Sequence, residues 1–375
     1  MDAVPPLLLK PIFKEKVWGG RALESLAKSL PSGLSIGESW ELADLSSTAA
    51  SGGGGGSAVS IIENGPLAGL DLHAAIAHLG PELMGSVPLT PQGRFPLLVK
   101  YLDARENLSV QVHPSPAYLT AHPHAGAHLK TECWFVVGAQ PVSEQVSQQT
   151  GLPREPRIYK GFKPGAFRGT TPGNPSPEDA VGDAIASGRL VDMLDHVPAM
   201  PGECHTLPSG TVHALGAGVL VAEVQTPSDT TFRMYDWTRE YRRPVREMHV
   251  AESLQSLLFE PPPIATRFQP GAPATRLVDT PFFTVDEVRL AGGQPLTANA
   301  IRPRAAAPET PAADDAPVVL MMLWGNAILE PPQGPGVHLQ LGRTALLPAQ
   351  IARATTLHPE SDCTLLWVKP RQQPS

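Results

Sequence analysis

Glycine and proline, 34 and 42 of the 375 residues, cut this chain into short apolar runs, and that punctuation limits what it can fold into. Both residues break regular structure, so their density suits short strands joined by turns better than long helices. The runs between them are β-branched or aromatic: FPLLVKYL (95–102), LSVQVH (108–113), ECWFVVG (132–138), VLVAEVQ (219–225) and TTFRMYDW (230–237). PIFKEKVWGG (11–20) and SIGESWELADL (35–45) read as further strands. Three helices interrupt them. DLHAAIAHLG (71–80) has Asp71 as N-cap and Gly80 as stop, SPEDAVGDAIASGRLVDMLDHVP (176–198) opens on Ser176 and Pro177, and HVAESLQSLLFE (249–260) runs up to Pro261, Pro262 and Pro263. The glycine run 52–56 reads as a loop tip, because neither a preceding strand nor a following Lys-Ser/Thr marks it as a phosphate cradle.

The proline cluster marks a boundary. Residues 1–262 are expected to form a catalytic β domain with helical insertions, and 263–375 a smaller β domain built from runs such as FFTVDEVRL, PVVLMMLWG and TLLWVK. His338 and His358 of the second part lack clustered ligand types, so that part is read as structural and without metal. The net charge of −7 and the absence of a basic block exclude nucleic acid as a partner. The apolar run in MDAVPPLLLKPIFKEK is too short for a signal peptide or a membrane span. Three cysteines, Cys133, Cys204 and Cys363, fit a reducing cytoplasm better than a disulfide framework.

Strand alternation singles out a polar face. In LSVQVH, Leu108, Val110 and Val112 point one way and Ser109, Gln111 and His113 the other. In HLKTECWFVVG, Lys130, Glu132 and Trp134 share a face, and a glutamate opening so apolar a strand is costly unless it is paired or bound to metal. Downstream, a tight turn PSGT delivers His213 to the head of a strand, while His205 lies outside that spacing and is read as structural. Two histidines and a carboxylate, with Gln111 as a possible neutral oxygen, are the ligand types of a catalytic divalent ion with a position left open.

The spacing from Gly202 to His213 matches the second cupin motif, G-x5-P-x-G-x2-H. With GESWE, VWGG, KTECWFVV and PSGTVHALGAGVLVAEVQTPSDTTFRMYDW in order, residues 5 to 260 resemble the type I mannose-6-phosphate isomerases, in their short bacterial form. Two positions depart from the general cupin pattern. Ala217 stands where the second motif ends in asparagine, and Gln111 replaces the leading histidine of the first, as it does in this isomerase family. The resemblance implies a mainly β fold, a cupin (jelly-roll) β-sandwich with a smaller C-terminal β domain of similar type. It implies one divalent ion, zinc, held by Gln111, His113, Glu132 and His213. Lys130, Arg233, Glu223 and Asp229 would be catalytic, and Ser109 and Lys100 would lie at the substrate's phosphate end. The partner would be a small sugar phosphate, mannose 6-phosphate interconverting with fructose 6-phosphate through an enediolate, on a cytoplasmic monomer or homodimer. Another metal cupin enzyme acting on a sugar and a non-catalytic sugar-binding cupin remain the competing readings.

Overall fold

The computed structural model describes residues 4–48, 56–168, 176–304 and 315–371. Most of the chain is antiparallel β-structure. A seven-stranded sheet has the order Thr266–Arg267, Glu203–Leu207, Glu132–Ala139, Val219–Gln225, Leu98–Ala104, Ile36–Leu42, Ile12–Gly20. A five-stranded sheet faces it, in the order Leu194–Pro198, Arg157–Phe162, His213–Leu215, Val110–Val112, Phe232–Tyr235. Apolar side chains from both inner faces, Trp134, Val136 and Val221 from the first and Ile158 and Leu215 from the second, fill part of the space between them. This is the sandwich that the alternating patterns dictate.

Both outer faces are covered. Behind the seven-stranded sheet, Cys133, Phe135 and Val224 pack with Leu72 and Ile76 of the helix Leu72–Leu79 and with Val319, Met321 and Leu366 from the C-terminal part. Behind the five-stranded sheet, Val110, Val112 and Met234 pack with Tyr118, Val181 and Leu254 of three short helices. The C-terminal part is a second sandwich with its own core between a six-stranded and a four-stranded sheet. Its six-stranded sheet takes its edge strand, Leu7–Leu8, from the other end of the chain, pairing with Thr344–Leu347.

The helix signals hold where a side chain makes the cap. Asp71 accepts a hydrogen bond from the Ala74 amide at 2.7 Å, and Ser176 and Asp179 form a reciprocal capping box. Two expected helices end early. The one opening at Ser176 stops at Ala186, and after a turn at Leu190–Met193 the chain becomes the strand Leu194–Pro198, because pairing with Arg157–Phe162 outweighs helix propensity there. The other ends at Ser256, and Leu257 is already extended. Of the glycine run, residues 52–55 lie outside the described residues, and Gly56 opens the strand Gly56–Val59 rather than sitting at a loop tip.

Candidate active site

Three strands deliver the buried group His113, Glu132 and His213, whose ligand atoms all lie within 4.8 Å of one another. Glu132 begins its strand on the seven-stranded sheet, and His213 begins one on the opposing sheet, paired in register with Gln111. The turn before His213 is tied to the other ligands. Gly210 donates its amide to the His113 carbonyl at 3.1 Å, and Ser209 Oγ accepts from the Lys130 amide at 3.0 Å. Gly210 has φ +91°, and a Cβ there would lie 2.6 Å from Leu258 Cγ, so only glycine fits the turn.

Hydrogen bonding orients both imidazoles. Nδ1 of His113 lies 2.9 Å from the Thr230 carbonyl and Nδ1 of His213 lies 2.8 Å from the Thr211 carbonyl. A carbonyl only accepts, so each Nδ1 carries the proton and each Nε2 presents its lone pair to Glu132, at 3.3 Å in both cases. Burial, and secondarily the Lys130 ammonium, pushes His113 down to about 3, and burial lowers His213 too, so both stand neutral. Burial alone would raise Glu132, but Lys130 beside it outweighs that and holds the carboxylate well below its usual range.

The group fits a divalent ion. Neither Glu132 oxygen has a hydrogen-bond partner, nor has His113 Nε2, although all three atoms are fully buried. Lys130 Nζ lies 2.8 Å from Glu132 Oε2 but is not aligned to donate, so the contact is ionic only. Buried acceptors left unpaired are expensive, and a cation among them satisfies all three at once. Gln111 Nε2 is 3.2 Å from His213 Nε2, and rotating that amide turns its oxygen to the same point.

Beside this group opens a cavity of about 440 Å³ between the sheets. Lys100, Ser109, Gln111, Lys130, Glu223, Asp229 and Arg233 all line it, and Gln111 and Lys130 join its wall to the buried group. Glu223 is held at one oxygen by Trp134 Nε1 at 2.9 Å and faces Lys100 Nζ at 2.9 Å with the other. Burial raises the Glu223 carboxyl above its usual value, against the pull of Lys100. Lys100 lies in the same cavity, against Glu223. Burial lowers its pKa, but Glu223, Glu38 and Glu132 outweigh that and raise it, and its charge is already compensated. Two details of alternation fail. Leu108 precedes its strand and lines the cavity instead of packing behind the sheet with Val110 and Val112. A register irregularity between Arg233 and Tyr235 turns Tyr235 towards Trp237 and Glu240, away from Arg233.

Sequence reasoning missed Lys16, Glu38 and Arg246, which also line the cavity. Glu38 lies 3.3 Å from Lys16 and accepts from Trp40 Nε1 at 2.6 Å. Burial opposes its ionisation, yet Lys16 and Lys100 draw it down to about 2. Its signal was available: a carboxylate on an otherwise apolar strand, the one that exposed Glu132. His205 stands outside the metal group, buried beside Lys160 in a separate cavity, with neither ring nitrogen hydrogen-bonded.

The catalytic-domain model of type I phosphomannose isomerase matches residues 7–137. Mannose-6-phosphate isomerase ManA of Bacillus subtilis is 33% identical over 301 residues, 78% of this chain and 81% of that protein. The chain belongs to the type I phosphomannose isomerase family. The crystal structure of the mannose 6-phosphate isomerase from Bacillus subtilis superposes with a TM-score of 0.69 at 26% identity, covering 97% of this chain and 99% of that one. A mannose 6-phosphate isomerase bound with zinc and yttrium shares the fold at 17% identity and a TM-score of 0.66, covering 98% of this chain and 100% of its own. The cupin-type sandwich expected from the resemblance is therefore the fold of a family of metal-dependent isomerases.

Proposed function

We propose that this chain interconverts mannose 6-phosphate and fructose 6-phosphate, with one zinc ion held by His113, Glu132, His213 and Gln111. The observation that carries the reading is the buried His–Glu–His group with its unpartnered acceptors, opening on a cavity of sugar-phosphate size. A zinc-bound structure of the same fold supports the choice of metal.

When bound, the ion supplies Lewis-acid polarisation of the sugar's C1 and C2 oxygens. The chain's own groups do the rest. Isomerisation moves a proton between C1 and C2, and the group that carries it must be a base poised near neutrality. Glu223 is the first choice, since burial raises its carboxyl and Trp134 and Lys100 fix its two oxygens. Asp229, on the cavity wall, is the alternative carrier. Arg233 stays protonated, so it suits holding negative charge on the substrate rather than proton abstraction. Lys130, clamped beside Glu132, orients the sugar hydroxyls, and Ser109 and Lys100 complete the polar lining.

All these residues precede 262, which supports a catalytic role for 1–262 and a structural one for 263–375, with Leu7–Leu8 lent to the second part's sheet and Thr266–Arg267 to the first's. The three cysteines are unpaired and buried, which supports a reducing, cytoplasmic setting for a monomer or homodimer. No helix among the described residues is long and apolar enough to cross a membrane.

The test is isomerase activity on mannose 6-phosphate and on unphosphorylated mannose, with and without chelator, followed by solvent-deuterium incorporation at C2 in single turnovers. Wild type should require metal, prefer the phosphorylated sugar and exchange deuterium, and Glu223→Gln should lose exchange. Full activity without metal would refute the reading, and unimpaired exchange by Glu223→Gln would move the proton to Asp229.

A further inference from the structure

Five cationic side chains line the cavity, and three of them have a carboxylate each. Lys16 faces Glu38, Lys100 faces Glu223, Lys130 faces Glu132, and their side chains are 13%, 6% and 5% exposed. Arg233 is 9% exposed and donates Nη1 to the Glu247 carbonyl at 2.5 Å. Arg246 is different. Its side chain is 31% exposed, and it grips Asp236 through Nε at 2.7 Å and through Nη2. That grip orients the guanidinium and leaves Nη1 without a partner among the described residues.

Asp236 is shared. Arg233 Nε lies 4.0 Å from the same carboxylate and has no hydrogen-bond partner although it is buried. Two guanidiniums thus share the Asp236 carboxylate at the cavity wall. Burial first, and then repulsion from Arg246, lowers the Arg233 pKa, so an anion placed between the two relieves both. The Glu247 carboxylate adds a smaller pull on Arg233, but its side chain is 80% exposed and lies 3.9 Å from His249.

The position suits the far end of a sugar phosphate. His213, Gln111 and Arg233 lie in register on three adjacent strands, with Arg233 on the edge. Strands are about 4.8 Å apart, so Arg233 stands roughly 5–10 Å from the metal ligands, and Arg246 flanks it. An extended chain advances about 3.5 Å per three bonds, so the seven bonds from C1 to phosphorus reach about 8 Å. Lys100, compensated by two carboxylates beside the metal group, is at the wrong end for this task.

We propose that Arg246, oriented by Asp236 and backed by the unpaired Nε of Arg233, anchors the phosphate group of the substrate. The inference rests on the sugar-phosphate reading above but is tested separately from it. Calorimetric titration with inorganic phosphate, on metal-loaded wild type and Arg246→Gln, comes first. Steady-state kinetics with mannose 6-phosphate follow. A charge-assisted bond to a dianion predicts that Arg246→Gln weakens phosphate binding and raises KM about ten- to a hundredfold, with a smaller change in kcat. Arg246→Lys, which keeps the charge and loses the fork, should recover part of both, whereas a merely structural lesion would not respond to restored charge. Equal phosphate binding by wild type and Arg246→Gln, or no phosphate binding by wild type at millimolar concentrations, would overturn the assignment. A wild type that binds phosphate through Arg246 yet does not isomerise mannose 6-phosphate would sink the function and leave the anchor standing.

Discussion

If His113, Glu132 and His213 hold an ion, the ion contributes to stability, and a melting curve reads it without any turnover. An ion present at a hundredfold excess over its dissociation constant stabilises the folded chain by about 2.7 kcal/mol. Unfolding entropy near 60 °C is about 2.1 cal/mol/K per residue, or roughly 0.8 kcal/mol/K for 375 residues. The metal should therefore raise the melting temperature by about 3 °C, and by more at higher saturation. Removing the imidazole by His113→Ala also strips the Thr230 carbonyl of its partner, which costs about 1–3 kcal/mol in metal-free protein. The variant thus begins lower than wild type, so the informative quantity is the response to metal and not the baseline. Differential scanning calorimetry with added zinc and then with chelator should show a reversible shift in wild type and none in His113→Ala or Glu132→Gln. A full zinc-dependent shift in either variant would refute the assignment of the site.

Two further outcomes are expected. His205 is pushed down to about 4, chiefly by burial, whereas an unfolded histidine titrates near 6.5, so between those values the unfolded chain binds the extra proton and stability falls as the pH falls. Wild type should lose about 2 kcal/mol from this group between pH 8 and 5, and denaturant titrations of His205→Gln at both pH values should show that part of the slope gone. Gly85 has φ +57°, and a Cβ there would lie 1.6 Å from the Asp315 carbonyl oxygen, so Gly85→Ala should cost at least about 2 kcal/mol and lower the melting temperature by a few degrees, and an unchanged melting curve would contradict the close approach.

The convergence of the candidate ligands was legible in the sequence because strand alternation is local. Gln111 and His113, like Lys130, Glu132 and Trp134, fall on one face wherever the strand is placed, and a turn that demands glycine at 210 fixes the arrival of His213. What was not legible depends on partners far away in the chain. Leu7–Leu8 completes a sheet some 340 residues on, Leu194–Pro198 is a strand because a neighbour waits for it, and Arg246 reaches the cavity from a loop.

Buried carboxylates show where the boundary lies. Glu38, Glu41 and Glu132 look alike in sequence, each an acid in an apolar strand. In the structure Glu41 receives Lys28 at 2.7 Å on both oxygens, with the hydroxyls of Ser39 and Thr344 beside them. It is a closed structural pair, neutral in charge and complete in hydrogen bonds. Glu132, equally buried, has two oxygens with no hydrogen bond at all. Burying an ion pair seldom stabilises a fold and burying unsatisfied acceptors costs more, so several of them converging with two imidazoles are the pattern of a bound cation. Parity separates Glu38 and Glu41 onto opposite faces of one strand, and sequence supplies that much. Whether a buried carboxylate is satisfied is decided by residues from other strands, and that is the observation that turns an acid in a strand into a metal ligand.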